Sequence, residues 1–132
     1  VATYNATSAL TFVLSYDWGK QEQHAEGDPD LDWDGAAFYT NYAFSDRWRA
    51  SLRLEYLDDK DGFVSGLAGI RQKLKEGTLT FGYAPVKSFE LRMEVRYDKS
   101  DKTTFSRSIS DVDASPFADS QTGLALQGVF KF

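Results

Sequence analysis

The residues best spaced for chemistry lie in Asp28-Pro29-Asp30-Leu31-Asp32-Trp33-Asp34-Gly35, where carboxylates alternate with other side chains. Asp30, Asp32, Asp34 and Gly35 match the first, third, fifth and sixth positions of a calcium loop, in which alternate carboxylates converge on the ion and glycine permits the bend. The twelfth position is Asn41 rather than a bidentate Glu, and no helical pattern flanks the segment. The competing reading is an acidic loop that runs into a strand. Nucleophilic catalysis needs an imidazole base. The one histidine, His24, sits among Gln21, Glu22, Gln23 and Glu26 with nothing in the pattern to orient it. Glu90 and Glu94 flank Arg92 and could act as paired carboxylates, but neighbouring arginines lower carboxylate pKa values and spoil a general acid. The sequence therefore predicts no enzyme and no cofactor, and gives these charges the role of setting a field in a pore.

Composition narrows the class further. The 132 residues fit one domain, and 20 Asp plus Glu against 15 Lys plus Arg argue against a nucleic-acid partner, which needs a basic face. Absence of Cys removes disulfides, thiolate metal sites and thiol catalysis. No basic stretch followed by an apolar one opens the chain, and no apolar run long enough for a spanning helix occurs. The mean hydropathy of −0.45 does not argue against a transmembrane β-barrel, because only alternate residues of its strands face lipid.

Period-two patterning supplies the elements that must carry these side chains. One parity of 9–18 reads Leu10, Phe12, Leu14, Tyr16, Trp18, and 35–44 repeats the pattern with Ala36, Phe38, Thr40, Tyr42, Phe44. A turn at Ser45-Asp46-Arg47 leads to Trp48, Ala50, Leu52, Leu54, Tyr56 opposite Arg49, Ser51, Arg53, Glu55. A strand over 78–84, with an earlier start around Arg71 left open, turns at 85–88 into Phe89, Leu91, Met93, Val95, Tyr97 opposite Glu90, Arg92, Glu94, Arg96, Asp98, and 121–132 closes the set. The strand over 78–84 carries Thr, Gly and Ala on its polar parity, so long charged side chains from its neighbours can lean across it. Short links near 5–8, 45–47 and 85–88 alternate with long ones at 19–34, 58–76 and 99–119, as in outer-membrane barrels.

Aromatic placement decides which face meets lipid. With the short turns at one rim, Tyr42, Trp48, Tyr83 and Phe132 lie near it, and Trp18, Tyr56 and Tyr97 lie near the other. The outward positions between them are largely aliphatic, and two aromatic girdles around an aliphatic band suit a bilayer. The expected fold is an all-β, antiparallel up-and-down transmembrane β-barrel occupying 1–132 as a single domain. Its lumen would be lined by Arg49, Arg53, Glu55, Glu90, Arg92, Glu94, Arg96 and Asp98. Six strands are few for such a lumen, since single-chain barrels start at about eight. Either the 58–76 link supplies an extra hairpin, or the chain is the C-terminal portion of a larger barrel, with Val1-Ala2-Thr3-Tyr4 ending a preceding strand.

Several segments resemble a known family. They are Trp33-Asp34-Gly35-Ala36-Ala37-Phe38-Tyr39, Tyr42-Ala43-Phe44-Ser45-Asp46-Arg47-Trp48, Arg53-Leu54-Glu55-Tyr56 and Asp58-Asp59-Lys60-Asp61-Gly62. With Leu79-Thr80-Phe81-Gly82-Tyr83-Ala84-Pro85, Glu94-Val95-Arg96-Tyr97-Asp98-Lys99-Ser100 and Gln121-Thr122-Gly123-Leu124-Ala125, they resemble the putative β-barrel porin-2 family of Gram-negative outer membranes, specifically its C-terminal part. The resemblance implies an integral outer-membrane channel for passive diffusion of small hydrophilic solutes or ions. Its partners would be the bilayer and lipopolysaccharide, with a homo-oligomer left open because family members are longer. The terminal Phe132, with Phe130 and Leu126 on its parity, resembles the signal that such barrels present to their assembly machinery. Two alternatives stand beside the channel: a non-conducting structural or adhesive barrel whose long loops bind a partner, and a water-soluble β-domain.

Overall fold

A computed structural model describes residues 1–22, 30–66, 69–106 and 116–132. Those residues form β1 (Ala2–Asn5), β2 (Leu10–Gln21), β3 (Leu31–Ala43), β4 (Trp48–Asp59), β5 (Gln72–Val86), β6 (Phe89–Ser100), β7 (Phe105–Ser106), β8 (Phe117–Ala118) and β9 (Ser120–Phe130). A seven-stranded antiparallel sheet runs in the order β1-β2-β3-β4-β5-β6-β9, and β7 pairs with β8 as a separate ribbon. Every neighbour in the large sheet follows its partner in the chain once that ribbon is set aside, which is the up-and-down meander the parity pattern requires. The sheet remains open between β1 and β9.

Burial is inverted relative to a water-soluble domain. Among the described residues no hydrophobic side chain is buried, whereas Asp58, Asp59, Gln72, Thr78, Glu90, Asp98 and Ser100 are. Leu124 is 79% exposed and Glu90 1%. No second layer covers the oily face among the described residues, so a sandwich core does not form. The polar face is concave: a cavity of about 900 Å³ is lined from Thr11 on β2, past Arg49 and Thr80, to Gln127 on β9.

The outward face is graded along the strands. Trp48 stacks on Tyr83 with ring centroids 4.3 Å apart, and Phe89 meets Phe130 in a tilted pair at 4.8 Å, beside the short turns. Tyr56 pairs in register with Lys75 and Lys75 with Lys99, and beyond them Asp34, Asp58 and Lys73 are outward and polar. From Trp48 to Tyr56 the apolar stripe covers nine residues, about 26 Å along the strand at roughly 3.3 Å per residue, within the usual length of a tilted transmembrane strand.

Two expectations change. Strands β2 and β3 reach further toward the long links than the alternation indicates, with β2 ending at Gln21 and β3 starting at Leu31, while β5 takes the earlier of its two expected starts, at Gln72. Beyond the apolar band both faces meet polar surroundings, so backbone pairing continues without an oily parity to mark it. The extra hairpin over 58–76 is not formed: among the described residues, 60–71 is a series of turns. Gly62, Gly66 and Gly69 adopt φ values of 70°, 73° and 77°, a left-handed backbone that disfavours residues with a Cβ. The buried Asp59 carboxylate ties that link down, accepting hydrogen bonds from the Phe63 and Ser65 backbone N–H groups at 3.0 and 2.7 Å.

Candidate functional site on the concave face

The charged parity of β4, β5 and β6 converges on two compact groups. Both depend on small residues of β5 between long side chains of its neighbours. In the first, Arg49 is in register with Gly82, and Gly82 with Arg92. The Glu90 Oε1 accepts hydrogen bonds from Arg49 and, at 2.7 Å, from Arg92 Nε, while Lys131 Nζ lies 3.6 Å from Oε2. A Cβ on Gly82 would fall 2.9 Å from Glu90 Oε1 and 3.0 Å from Arg49 Cγ, so the glycine leaves the space through which β4 reaches β6.

The second group lies about 13 Å further from the short turns, four residues along each strand. Arg53 is in register with Thr78, and Thr78 with Arg96. Glu76 sits between the arginines, its Oε1 accepting from Arg53 Nη2 at 2.6 Å and its Oε2 facing Arg96 Nη2 at 3.0 Å. The Thr78 hydroxyl donates to Glu76 at 2.6 Å, and Asp98 accepts from Arg96 at 2.9 Å and from Gln121 at 3.0 Å. Glu55 accepts from the Tyr39 hydroxyl at 3.1 Å, and Glu94 from the Thr80 hydroxyl at 3.0 Å. Each cluster holds two guanidiniums around one buried or half-buried carboxylate, so desolvation of the acid is offset by charge-assisted hydrogen bonds.

The structure thus brings Arg49, Glu90 and Arg92 together, and separately Arg53, Glu55, Arg96 and Asp98, with Glu94 between the groups on the same face. Sequence reasoning missed Glu76 and Lys131. Glu76 shares parity with Thr78 and Gly82 and falls on the strand once it starts near Arg71, but Lys73 and Lys75 on the other parity leave no oily face there to set it apart. The aromatics Trp18, Tyr42, Trp48 and Tyr97 are exposed on the opposite face, Tyr56 and Tyr83 are half-buried there, and Phe132 lies beyond β9.

The calcium pattern is taken apart by extension. Asp32 and Asp34 lie on β3, where residues two apart are splayed by roughly 7 Å instead of wrapping an ion. Asp30 pairs with Lys20 at 2.5 Å, Asp34 with Lys60 at 3.2 Å, and the Asp32 backbone N–H donates to Asp61 at 2.7 Å. No cluster of three acidic, His or Cys ligands forms among the described residues. Asp28 and His24 lie outside the described residues. At the link rim the Asp34 carboxylate holds the Lys60 ammonium's pKa above its usual value, and Lys99 holds the Asp119 carboxyl below its own. Arg71 forks onto Asp58 through Nε and Nη2 at 3.0 and 2.6 Å.

An antiparallel meander with an oily convex face and a charged concave one defines a porin-like β-barrel protein. The chain belongs to the family described as "Putative beta-barrel porin-2, OmpL-like", whose model matches residues 1–132, the whole chain. Comparison with curated proteins and with solved structures returns no match.

Proposed function

We propose that the protein is an integral outer-membrane channel that lets small hydrophilic solutes or ions diffuse through a charged lumen without chemistry. The observation that carries this reading is the inverted burial, with aliphatic side chains exposed on one face and Glu90, Asp98 and their arginines gathered in a cavity on the other. A wet lumen tolerates such charges, and a ring of them biases which ions pass. Membership of a porin family supports the same location and role.

One observation favours a non-conducting barrel: all four arginines of β4 and β6 on the concave face are tied to carboxylates, which narrows the space they line. Planar-bilayer recordings separate the two. A channel gives reproducible conductance steps whose ion preference changes in Arg92→Gln and Arg96→Gln. Silence from folded, inserted protein supports the plugged barrel and sinks the channel.

A further inference from the structure

The concave face is polar along most of its length but turns apolar toward the long links. There Leu57 and Leu74 pair in register across β4 and β5, and Gly35 faces Leu57 from β3. Trp33 pairs with Gly19 of β2, and a Cβ on Gly19 would fall 2.5 Å from the indole Cε2 and Nε1. The indole therefore lies flat over bare backbone, a position that any other residue at 19 would block. Phe105 joins from β7, because Gln72 Nε2 donates to Ser100 Oγ at 2.9 Å and Thr104 Oγ1 at 3.0 Å and so fastens the start of that link to β5. These side chains border a cavity of about 400 Å³ that also contains Tyr39, Glu55, Arg96, Asp98 and Gln121.

A water-filled lumen gains nothing from apolar side chains, which are stabilised only when something apolar covers them. The polar groups beside them offer both donors and acceptors on planar side chains, and an apolar guest would leave those unpaired at a cost. A pyranose ring answers both demands, with C–H groups on a face and hydroxyls, each donor and acceptor, around its rim. Asp17, Glu55, Glu76 and Asp98 outnumber Lys75 and Arg96 in the lining, even with Arg53 added through its pairing to Glu76, so an anionic sugar is disfavoured. We propose that this end of the concave face is a binding subsite for neutral sugars, with Trp33 as the stacking platform. Phe105 closes over the ring, and the Tyr39–Glu55 pair and Arg96 meet its hydroxyls. The subsite deepens the channel reading and rests on the same solvent-filled concave face, but its occupancy requires no current.

The test is equilibrium binding to the full chain folded in detergent micelles, with Trp18 and Trp48 changed to Phe so that emission reports Trp33. Titration with maltotriose is expected to give a saturable emission change at millimolar concentration, and gluconate none. In the otherwise unaltered protein, calorimetric titration should show at least tenfold weaker binding for Trp33→Leu and several-fold weaker binding for Phe105→Ala and Glu55→Gln. Absence of saturable maltotriose binding overturns the subsite, as does equal binding of gluconate or undiminished binding by all three variants. Should Trp33→Leu not fold, Phe105→Ala and Glu55→Gln decide alone. Conductance without sugar binding rejects the subsite and leaves the channel; sugar binding without conductance does the reverse.

Discussion

At the scale of single residues, two glycines of β5 make contrasting forecasts. A side chain at Gly82 must displace Arg49 or Glu90, whereas a Cβ at Gly77 meets only Leu54 Cδ2, at 3.6 Å. Gly82→Val should cost about 1–3 kcal/mol by leaving the buried Glu90 short of a charged partner, while Gly77→Ala should change stability little. Denaturant unfolding of the protein in lipid vesicles measures both, and equal losses would show that the Arg49–Glu90 bridge is not what Gly82 protects. At the link rim, Lys99 donates to the Asp119 carboxylate, and the Ser100 backbone N–H donates to the Asp119 carbonyl at 2.7 Å. A carboxyl whose folded pKa is depressed contributes stability above its unfolded value and loses it as the pH falls through the folded one. Hydrogen exchange at the Ser100 amide, corrected for its intrinsic rate, should therefore lose protection in acid. Asp119→Asn should show the looser behaviour already at neutral pH, and protection unaffected by either change would refute the tie.

At the scale of strands, β6 states the inversion most plainly, with Leu91, Met93, Val95 and Tyr97 exposed and Glu90 and Asp98 buried. Met93→Arg should cost about 2–4 kcal/mol where the strand crosses the bilayer midplane, and Glu94→Gln on the other parity much less. Unfolding in vesicles that yields equal costs would remove the lipid-facing assignment. The same strand shows why the fold was readable. An alternating oily parity fixes strand, face and neighbour together, and for the stretches from Leu10 to Trp18, Trp48 to Tyr56 and Phe89 to Tyr97 it sufficed. Gln72 to Gly77 carries polar residues on both parities, so a strand start near Arg71 was legible but Glu76, the carboxylate at the centre of the second arginine cluster, was not marked by it. Trp33, Leu57 and Leu74 were hidden for the opposite reason. Their apolar side chains fall on the inward parity, where the pattern leads one to expect charge.

At the scale of the molecule, the two arginine clusters join β4 to β6 across β5, strands that share no backbone pairing. A slip of one residue between these strands would turn every oily side chain into the lumen and is strongly penalised. A slip of two is subtler, since it restores the faces and leaves hydrophobic burial almost unchanged. Only the native register sets Gly82 beneath the Arg49–Glu90 bridge and Thr78 beside Glu76. Two residues off, Thr80 would stand where the glycine is needed and the carboxylates would miss their guanidiniums. The ion clusters thereby act as a proofreading step in assembly, rejecting the misalignment to which the lipid is blind.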